Sequence, residues 1–356
     1  MNPSVEIAGR PVGPGHPVYL VAEMSANHGQ RYDEAVRIVR AMKDAGADAV
    51  KIQTYTPDTL TLDCNRPEFR IGKGTLWEGK TLYQLYGEAY TPWDWQPKLK
   101  AVAEDLGLHF FSTPFDDTAV DVLEALDVPA YKIASFELVD AGLLRRVART
   151  GKPVILSTGM ATRDEIDEAV GVLRGAGCES LILLKCSSAY PARPEEMNLR
   201  TIPDLAARYG CPVGLSDHTL GIATAVAAVA LGACVIEKHF TISRSVPGPD
   251  SAFSLEPGEF KTLAESVREV EKSLGRISYE IGEHEKASRV FRRSLFVVAD
   301  MKAGDVFTDR NVRSIRPGHG LSPKHLDEIL GKRAARDIPR GTPMSWDLVS
   351  GYCSGR

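Results

Sequence analysis

The sequence lacks the features that mark membrane, secreted and nucleic-acid-binding proteins. It has no run of about 18 consecutive apolar residues, and its first residues, MNPSVEIAGRPVGPGHP, have no apolar core, so we expect neither a membrane span nor a signal peptide. The 43 Lys and Arg residues are outnumbered by 47 Asp and Glu residues, which argues against a nucleic-acid partner. No CxxC pair occurs, so reduced thiols and a cytoplasmic location are predicted from the six cysteines, Cys64, Cys178, Cys186, Cys211, Cys234 and Cys353.

Short apolar runs alternate with amphipathic helical segments over most of the chain. The eight runs are residues 18–23, 48–53, 108–113, 129–135, 152–158, 180–187, 211–217 and 233–240. Continuous apolar strands with helices between them indicate a parallel sheet covered on both faces, and eight units predict a (β/α)₈ TIM barrel. An open doubly wound sheet is the alternative, although no GxGxxG turn follows a strand.

The sequence predicts two domains and one long insertion. We expect a barrel domain at residues 1–280, a linker at 281–292 and a small domain at 293–356. Within the small domain, residues 299–312 align with residues 336–349 as a weak internal repeat, which predicts two similar β-turn-β units. The insertion, residues 54–95, follows the second strand, so in a barrel it lies on the active-site face and is expected to shape a substrate pocket.

All eight apolar runs end in polar residues, although buried ionisable groups are costly without partners. In a parallel barrel these ends converge on one rim. Strand alternation puts Glu237 on the same face as His239, and, if His218 and His239 face inward, turns Asp217 and Lys238 away. Two histidines that end neighbouring strands could share a divalent metal, or could simply form local hydrogen bonds.

Lys51 and Lys132 lie in apolar runs that end on the same rim. Two ammonium groups match a phosphate or carboxylate when hydroxyl groups surround them, and the hydroxyls here are those of Thr113, Ser135, Ser157, Ser188 and Ser216. A buried lysine could instead form a Schiff base with a carbonyl substrate, for which Lys185 is the best candidate. The loop at residues 243–257 carries a conspicuous acid, Asp250, among Gly and Pro residues, which is typical of a solvated turn or of a contact with sugar hydroxyls.

Nine stretches together resemble the sialic acid synthase family, whose members condense phosphoenolpyruvate (PEP) with amino sugars to make nonulosonic acids. They are AEMSANHGQ, KIQTYTPDTLT, FFSTPFD, YKIASFE, VILSTGMAT, LKCSSAYPA, GLSDHTLG, IEKHFT and GPDSAFSLEP. In the small domain, RRSLFV, KAGD and IRPGHG resemble the family's antifreeze-like (SAF) domain, which has a β-clip fold. The resemblance covers nearly the whole chain and is closest to the pseudaminic acid synthase branch; synthases for N-acetylneuraminate usually have Asn in place of Ser188.

The resemblance implies a role for each matching residue. A divalent metal, Mn²⁺ with Mg²⁺ or Co²⁺ as alternatives, would be held by His218 and His239, and Glu23 would be an active-site carboxylate. PEP would be bound by Lys51, Thr113, Lys132, Ser135, Ser157, Ser188 and Ser216. The sugar would be bound by Gln53, Tyr190 and Asp250, together with Arg316 from the partner chain of a domain-swapped homodimer.

The implied reaction joins PEP, 2,4-diacetamido-2,4,6-trideoxy-L-altrose and water into pseudaminic acid, with release of phosphate by C–O cleavage. Synthesis of legionaminic acid or N-acetylneuraminate is the alternative within the family. Two alternatives of other classes stay open at this stage. One is a Schiff-base aldolase that uses Lys185 or Lys132, and the other is a carbohydrate- or ice-binding protein built on the small domain.

Overall fold

A computed structural model describes residues 4–74 and 76–352 of the chain, and Cys353 lies outside these described residues. The chain divides into two compact units, of which the first ends at Gly275 and the second begins at Arg276. Within the described ranges, no helix is both long enough and apolar enough to cross a membrane.

Eight parallel strands of the first unit close into a barrel. An antiparallel hairpin that the sequence analysis did not predict precedes them, formed by β1 (Val5–Ile7) and β2 (Arg10–Val12). The barrel strands are β3 (Tyr19–Glu23), β4 (Ala49–Thr54), β5 (His109–Pro114), β6 (Tyr131–Ile133), β7 (Val154–Ser157), β8 (Leu181–Cys186), β9 (Val213–Asp217) and β10 (Val235–His239). Strand β10 closes the ring on β3, with His239 opposite Glu23. The predicted TIM barrel is confirmed, and the open doubly wound sheet is wrong.

Helices follow the barrel strands, and those outside the insertion pack around the barrel. They are α1 (Tyr32–Asp44), α2 (Pro57–Leu60), α3 (Leu82–Ala89), α4 (Gln96–Asp105), α5 (Asp117–Ala125), α6 (Ala141–Ala148), α7 (Arg163–Gly175), α8 (Thr201–Tyr209), α9 (Ala223–Ala230) and α10 (Pro257–Leu274). Helix α7 illustrates why these segments are helical. Thr162 and Glu165 form a capping box at its start, and it buries side chains at helical spacing, namely Ile166, Ala169, Val170 and Leu173.

The insertion at residues 54–95 folds into short elements rather than an irregular loop. It contains α2, α3 and 3₁₀ turns at Pro67–Phe69 and Trp93–Trp95. Thr56 and Thr81 each form a capping box at the start of their helix, which fixes where α2 and α3 begin. The insertion is therefore built well enough to place side chains in defined positions.

The second unit is a small β-rich fold with its own apolar core. It contains α11 (Glu283–Lys286), β11 (Ser294–Val297), β12 (Val312–Ile315) and α12 (Leu326–Ile329), and β11 pairs with β12 in antiparallel fashion. Met301 of the first repeat copy and Ile338 of the second occupy equivalent positions. Their backbones exchange two hydrogen bonds of 2.9 and 2.8 Å, so the two copies pair directly.

Two aspartates extend this reciprocal pairing. Asp300 accepts a hydrogen bond of 2.7 Å from the backbone N–H of Arg340. The equivalent Asp337 accepts one of 2.9 Å from the backbone N–H of Ala303, which is itself the position equivalent to Arg340. In each copy a carboxylate therefore accepts a hydrogen bond from a backbone N–H of the equivalent turn in the other copy. The weak sequence repeat is thus a structural repeat as well.

Candidate active site

A cavity of about 460 Å³ lies at the carboxyl ends of the barrel strands. Most of the predicted site residues line it: Lys51, Gln53, Thr113, Lys132, Ser135, Ser157, Tyr190, Ser216, His218, His239 and Asp250. Glu23 and Ser188 do not line it, and Arg316 belongs to the second unit. The polar strand ends thus converge on one space, as the barrel geometry predicts.

A network of buried charges forms the floor of the cavity. Lys51 Nζ, from β4, lies 2.6 Å from Glu23 Oε2 and 3.6 Å from Glu237 Oε1. Lys132 Nζ, from β6, lies 3.7 Å from the same oxygen of Glu237 and donates a 2.7 Å hydrogen bond to Ser157 Oγ. Because none of these ionic side chains is more than 5% exposed, their charges are compensated by one another rather than by water.

The environment sets the protonation of these groups. Burial raises the pKa of Glu237, but Lys132 and Lys51 outweigh it, and the pKa lies below its ordinary value. Burial raises the pKa of Glu23 more than Lys51 lowers it. Burial lowers the pKa of Lys132, whereas the two carboxylates raise the pKa of Lys51 above its ordinary value. An anion in the cavity therefore lies beside two ammonium groups in surroundings of low polarity, where charge interactions are strong.

Glu23 does not line the cavity and can influence it only through the side chains that it contacts. It is completely buried, and its Oε1 accepts hydrogen bonds from the backbone N–H of Ser25 at 3.1 Å and from Gln53 Nε2 at 3.2 Å. Its Oε2 faces Lys51. Glu23 therefore holds Lys51 and Gln53 in place, and its part in proton transfer stays a prediction.

His218 and His239 lie side by side at the ends of β9 and β10, with ring centroids 5.3 Å apart. His218 Nδ1 donates a 2.9 Å hydrogen bond to the carbonyl of Ser187; burial lowers the pKa of His218, but the thiol of Cys186 and this hydrogen bond raise it above its ordinary value. Burial, followed by the neighbouring His218, lowers the pKa of His239 well below its ordinary value, so this ring is neutral. His239 Nδ1 is buried and has no hydrogen-bond partner in the described part of the chain.

These two imidazoles fit the requirements of metal ligands. A buried nitrogen without a partner is costly, and a metal ion would satisfy it. Residues 4–74 and 76–352 contain no group of three or more His, Cys, Asp or Glu side chains arranged to hold an ion. An ion here would have two protein nitrogens as ligands and would take the others from water or substrate, an arrangement typical of open catalytic sites.

Two serines pack against Gly159, at the end of β7. The backbone N–H of Gly159 donates a 3.0 Å hydrogen bond to Ser135 Oγ. A Cβ atom at this glycine would lie 2.3 Å from Ser188 Oγ and 2.7 Å from Ser135 Oγ, so no other residue fits here without displacing a hydroxyl. Ser135 faces the cavity and Ser188 lies beside it, which places Ser188 at the edge of the predicted PEP-binding set.

Aromatic rings and one carboxylate enclose the histidine side of the cavity. The ring of Tyr190 lies 4.5 Å from that of His218, and the ring of Phe253 lies 4.9 Å from that of His239. Asp250 hydrogen-bonds the hydroxyl of Ser25 and lines the cavity. Asp250 therefore lies at the cavity rather than in a fully solvated turn, and its contact with sugar hydroxyls stays a prediction.

Two lysines that end apolar runs do not face the cavity. Lys185 is not among the lining residues, and its ammonium donates a 2.8 Å hydrogen bond to the carbonyl of Cys186. Lys238 forms a 2.7 Å ion pair with Asp217 and also contacts the carbonyl of Thr219. Asp217 and Lys238 are turned away from the cavity, as strand alternation predicts, and the Schiff-base alternative loses its best candidate.

Several lining residues were missed from the sequence. Cys186 ends β8 and packs 3.8 Å from His218 Nδ1; burial raises its pKa, but His218 lowers it to about 7. Burial raises the pKa of Glu137 to about 7, and its Oε2 has no partner among the described atoms. Trp77 and Tyr86 come from the insertion. Strand phase could have identified Cys186, whereas loop residues have no periodicity that points to a site.

Comparisons with known proteins agree with this geometry. A family model described as the NeuB family matches residues 38–279, and a model for the SAF domain matches residues 292–350. The chain belongs to the NeuB family. The resemblance to sialic acid synthases is therefore confirmed, and so is the SAF domain of the second unit.

Named relatives of this NeuB-family protein give a finer comparison. It is 45% identical to a pseudaminic acid synthase from Campylobacter jejuni, over 91% of this chain and 94% of the relative. It is 43% identical to a pseudaminic acid synthase from Helicobacter pylori, over 94% of this chain and 98% of the relative. A solved structure, an N-acetylneuraminic acid synthetase from Leptospira borgpetersenii in complex with citrate, superposes with a TM-score of 0.72 at 32% identity and covers 81% of this chain and 95% of that one.

Proposed function

We propose that the protein is an enzyme that condenses PEP with 2,4-diacetamido-2,4,6-trideoxy-L-altrose and water to give pseudaminic acid and phosphate. The observation that carries this proposal is the pair of buried ammonium groups, Lys51 and Lys132, on the floor of a cavity that also contains two histidines. The choice of sugar is supported by identities of 45% and 43% to two pseudaminic acid synthases over nearly the whole chain.

The floor of the cavity suits the phosphate and carboxylate of PEP. Lys51 and Lys132 supply positive charge, and the hydroxyls of Thr113, Ser157 and Ser216 supply hydrogen-bond donors. Held there, C3 of PEP faces the histidine side of the cavity, where the aldehyde of the open-chain sugar would lie. Most of the contribution of these residues is to position two reactants and to compensate charge.

The bond changes follow from the chemistry of PEP. A bond forms between PEP C3 and the aldehyde carbon, whose oxygen takes up a proton, and C2 becomes an oxocarbenium ion. Water adds to C2 and loses a proton. The bond between C2 and the oxygen that bridges to phosphorus then breaks, and the C2 hydroxyl gives its proton to the departing phosphate, which leaves the ketone of the product and inorganic phosphate. Glu237 lines the cavity next to Lys51 and Lys132, and its Oε2 has no partner within the described chain, so it is placed to exchange protons there.

A divalent ion, Mn²⁺ or alternatively Mg²⁺ or Co²⁺, belongs to this proposal. His218 and His239 would hold it, and when bound it would polarise the sugar carbonyl as a Lewis acid. The support is the unpartnered Nδ1 of His239, whose pKa burial lowers well below its ordinary value, and the ring of His218 at 5.3 Å from that of His239. Phe253 and Tyr190 pack against these rings and keep them in their positions.

Arg316 and the assembly form a further part of the proposal. The Arg316 side chain is exposed and makes no hydrogen bond or ion pair within the described residues of this chain. An exposed guanidinium without an internal partner is available to a second molecule. We assign it to the sugar site of a partner subunit in a domain-swapped homodimer. We place the enzyme in the cytoplasm, which is consistent with free thiols at Cys64, Cys178, Cys186, Cys211 and Cys234.

The decisive experiment incubates the purified protein with PEP and one of three acceptors, and measures released phosphate and product mass. The acceptors are the diacetamido-trideoxy-altrose, the corresponding diacetamido-trideoxy-mannose, and N-acetylmannosamine. We expect phosphate release only when PEP and a sugar are both present, and the highest kcat/KM with the altrose. A preference for the mannose isomer would indicate legionaminic acid synthesis, and a preference for N-acetylmannosamine would indicate N-acetylneuraminate synthesis.

Two controls separate the alternatives of other classes. Borohydride would trap an imine on a Schiff-base aldolase, whereas the PEP route forms none. Equilibrium binding of sugar without phosphate release, under any metal condition, would indicate a binding protein and would contradict the proposal.

A further inference from the structure

One wall of the cavity is apolar and comes from the insertion. The insertion side chains that line the cavity are Tyr55, Leu60, Ile71, Trp77, Leu82, Leu85, Tyr86 and Ala89. They contrast with the floor, where lysines, carboxylates and hydroxyls converge. The wall begins close to the histidines, because the ring of Trp77 lies 5.9 Å from that of Tyr190, which lies 4.5 Å from that of His218.

Helix α3 presents a complete helical face to this wall. Leu82, Leu85, Tyr86 and Ala89 follow the spacing i, i+3, i+4 and i+7, which marks one side of an α-helix. A surface helix ordinarily turns such a face onto the protein core. Here the face is turned toward the cavity, and only Leu85 is buried. The apolar side of α3 therefore lacks a full protein partner and is available to a ligand.

The wall offers few hydrogen bonds. Its side chains, within the described residues, carry three polar groups: the indole N–H of Trp77 and the hydroxyls of Tyr55 and Tyr86. The indole N–H already donates a 2.9 Å hydrogen bond to the carbonyl of Pro249. A ligand hydroxyl placed against α3 would lose its contacts with water and gain little in return.

We propose that the apolar wall formed by Trp77 and helix α3 selects acceptor sugars whose terminal carbon is a methyl group rather than a hydroxymethyl group. This inference rests on the proposed function, and it names the part of the chain that recognises the far end of the acceptor. In the proposed reaction PEP lies on the charged floor, and the aldehyde of the acceptor lies at the histidines. The opposite end of the acceptor therefore extends toward the remaining walls, of which the insertion forms one, while Phe115, Phe136 and Glu137 form part of another. A methyl group is buried there favourably, and an added hydroxyl costs about 100-fold in kcat/KM.

The test compares two acceptors that differ only at C6, the 2,4-diacetamido-2,4,6-trideoxy-L-altrose and its 6-hydroxy counterpart, with a fixed saturating concentration of PEP. For the wild-type enzyme we expect kcat/KM to be about 100-fold higher with the 6-deoxy sugar. Leu82→Ser should reduce this ratio to about tenfold or less, mainly by weakening use of the 6-deoxy sugar, and should leave KM for PEP unchanged.

The matched control is Leu62→Ser, since Leu62 belongs to the same insertion, is 63% exposed and does not line the cavity. It should keep the wild-type ratio. Ala89→Ser adds a hydroxyl to the cavity face with little change in volume, so it tests the same point if Leu82→Ser fails to fold. It should raise kcat/KM for the 6-hydroxy sugar relative to the 6-deoxy sugar.

The outcomes distinguish this inference from the proposed function. Absence of phosphate release with every acceptor would contradict the function itself. Turnover of both sugars with equal kcat/KM would overturn the inference and leave the function intact. The inference would also be wrong if Leu82→Ser and Ala89→Ser changed kcat/KM for both sugars by the same factor.

Discussion

Two ion pairs of nearly equal length lie in opposite surroundings in the two units of this protein. In the barrel, Lys238 and Asp217 are 2.7 Å apart, and neither side chain is more than 1% exposed. In the C-terminal unit, Lys302 and Asp337 are 2.8 Å apart and are 82% and 61% exposed. Burial of charge is costly and is repaid only by good geometry, whereas an exposed pair contributes little. The distance alone therefore says nothing about what a pair does, and the buried charges of the barrel are the ones that indicate function.

The largest expected effect removes a histidine from the barrel. His239→Ala and His218→Ala should each lower the rate of PEP- and sugar-dependent phosphate release by on the order of 1000-fold or more, as the loss of a catalytic group does. The far-UV circular dichroism spectrum should stay unchanged. The matched control in the C-terminal unit is His325→Ala, because the His325 side chain hydrogen-bonds Glu328 and packs against Trp346 and is not among the predicted ligands.

Metal removal tests the role of His218 and His239 without a mutation. Exhaustive treatment with a chelator should inactivate the wild-type enzyme, and added Mn²⁺ should restore it. Full activity after verified metal removal would show that the two imidazoles have another role.

The second prediction concerns Arg316, the residue of the C-terminal unit that is proposed to contact the sugar. Arg316→Ala should lower kcat/KM for the sugar by about 100-fold, the order of loss of a charge-assisted contact of about 3 kcal/mol, and should leave KM for PEP unchanged. Mixing Arg316→Ala with His239→Ala subunits under exchange conditions should restore activity, since each mixed dimer would contain one complete site. No recovery on mixing would contradict the domain-swapped arrangement.

The third prediction sharpens the comparison of the two ion pairs. Lys238→Met leaves the Asp217 carboxylate buried without its partner, so the free energy of unfolding should fall by about 3–5 kcal/mol in urea denaturation. Lys302→Met should leave it unchanged within error, because water replaces the lost contact of Asp337. Equal effects of the two substitutions would mean that burial does not decide the energy of these pairs.

The smallest expected effect is a pH dependence that only the barrel should show. Burial raises the pKa of Glu137 to about 7, against the lowering effects of its backbone hydrogen bond and Lys132, with Asp140 raising it further. The folded protein then binds this proton more tightly than the unfolded chain, so stability contributed by the protonated form is present at low pH and is lost as the pH rises toward 7. The free energy of unfolding of the wild type, relative to Glu137→Gln, should fall by roughly 1–3 kcal/mol between pH 4.5 and 7.5. Parallel pH profiles for the two proteins would contradict this.

The barrel scaffold was predictable because its signals are periodic. Six of the eight apolar runs contain their barrel strand, and β4 and β5 each extend one residue beyond theirs. Most of the polar residues predicted at these ends, including Lys51 and His239, line one cavity. Strand alternation also separated His239 from Lys238 correctly, since a period of two residues decides which side chain faces the cavity. These predictions needed only local patterns and the fixed geometry of a parallel barrel.

The remaining parts depend on contacts that no local pattern encodes. Trp77 and Tyr86 reach the cavity because of how the insertion folds back, which is a long-range event. The burial of Glu23 beneath Lys51, and the position of Ser188 beside Gly159, follow from packing between strands. In the C-terminal unit the repeat was visible in sequence, but the reciprocal contacts of Asp300 and Asp337 appear only in the fold.

The position of helix α3 in the chain has a consequence for how such enzymes diversify. The strand ends proposed to bind PEP and the helix proposed to face the acceptor are contributed by separate stretches of sequence. Exchange of residues 54–95 between related proteins should therefore change the choice of acceptor without altering the proposed bond-forming groups. A change of acceptor would then require substitutions in one segment only, and the buried charged residues of the barrel would stay the same.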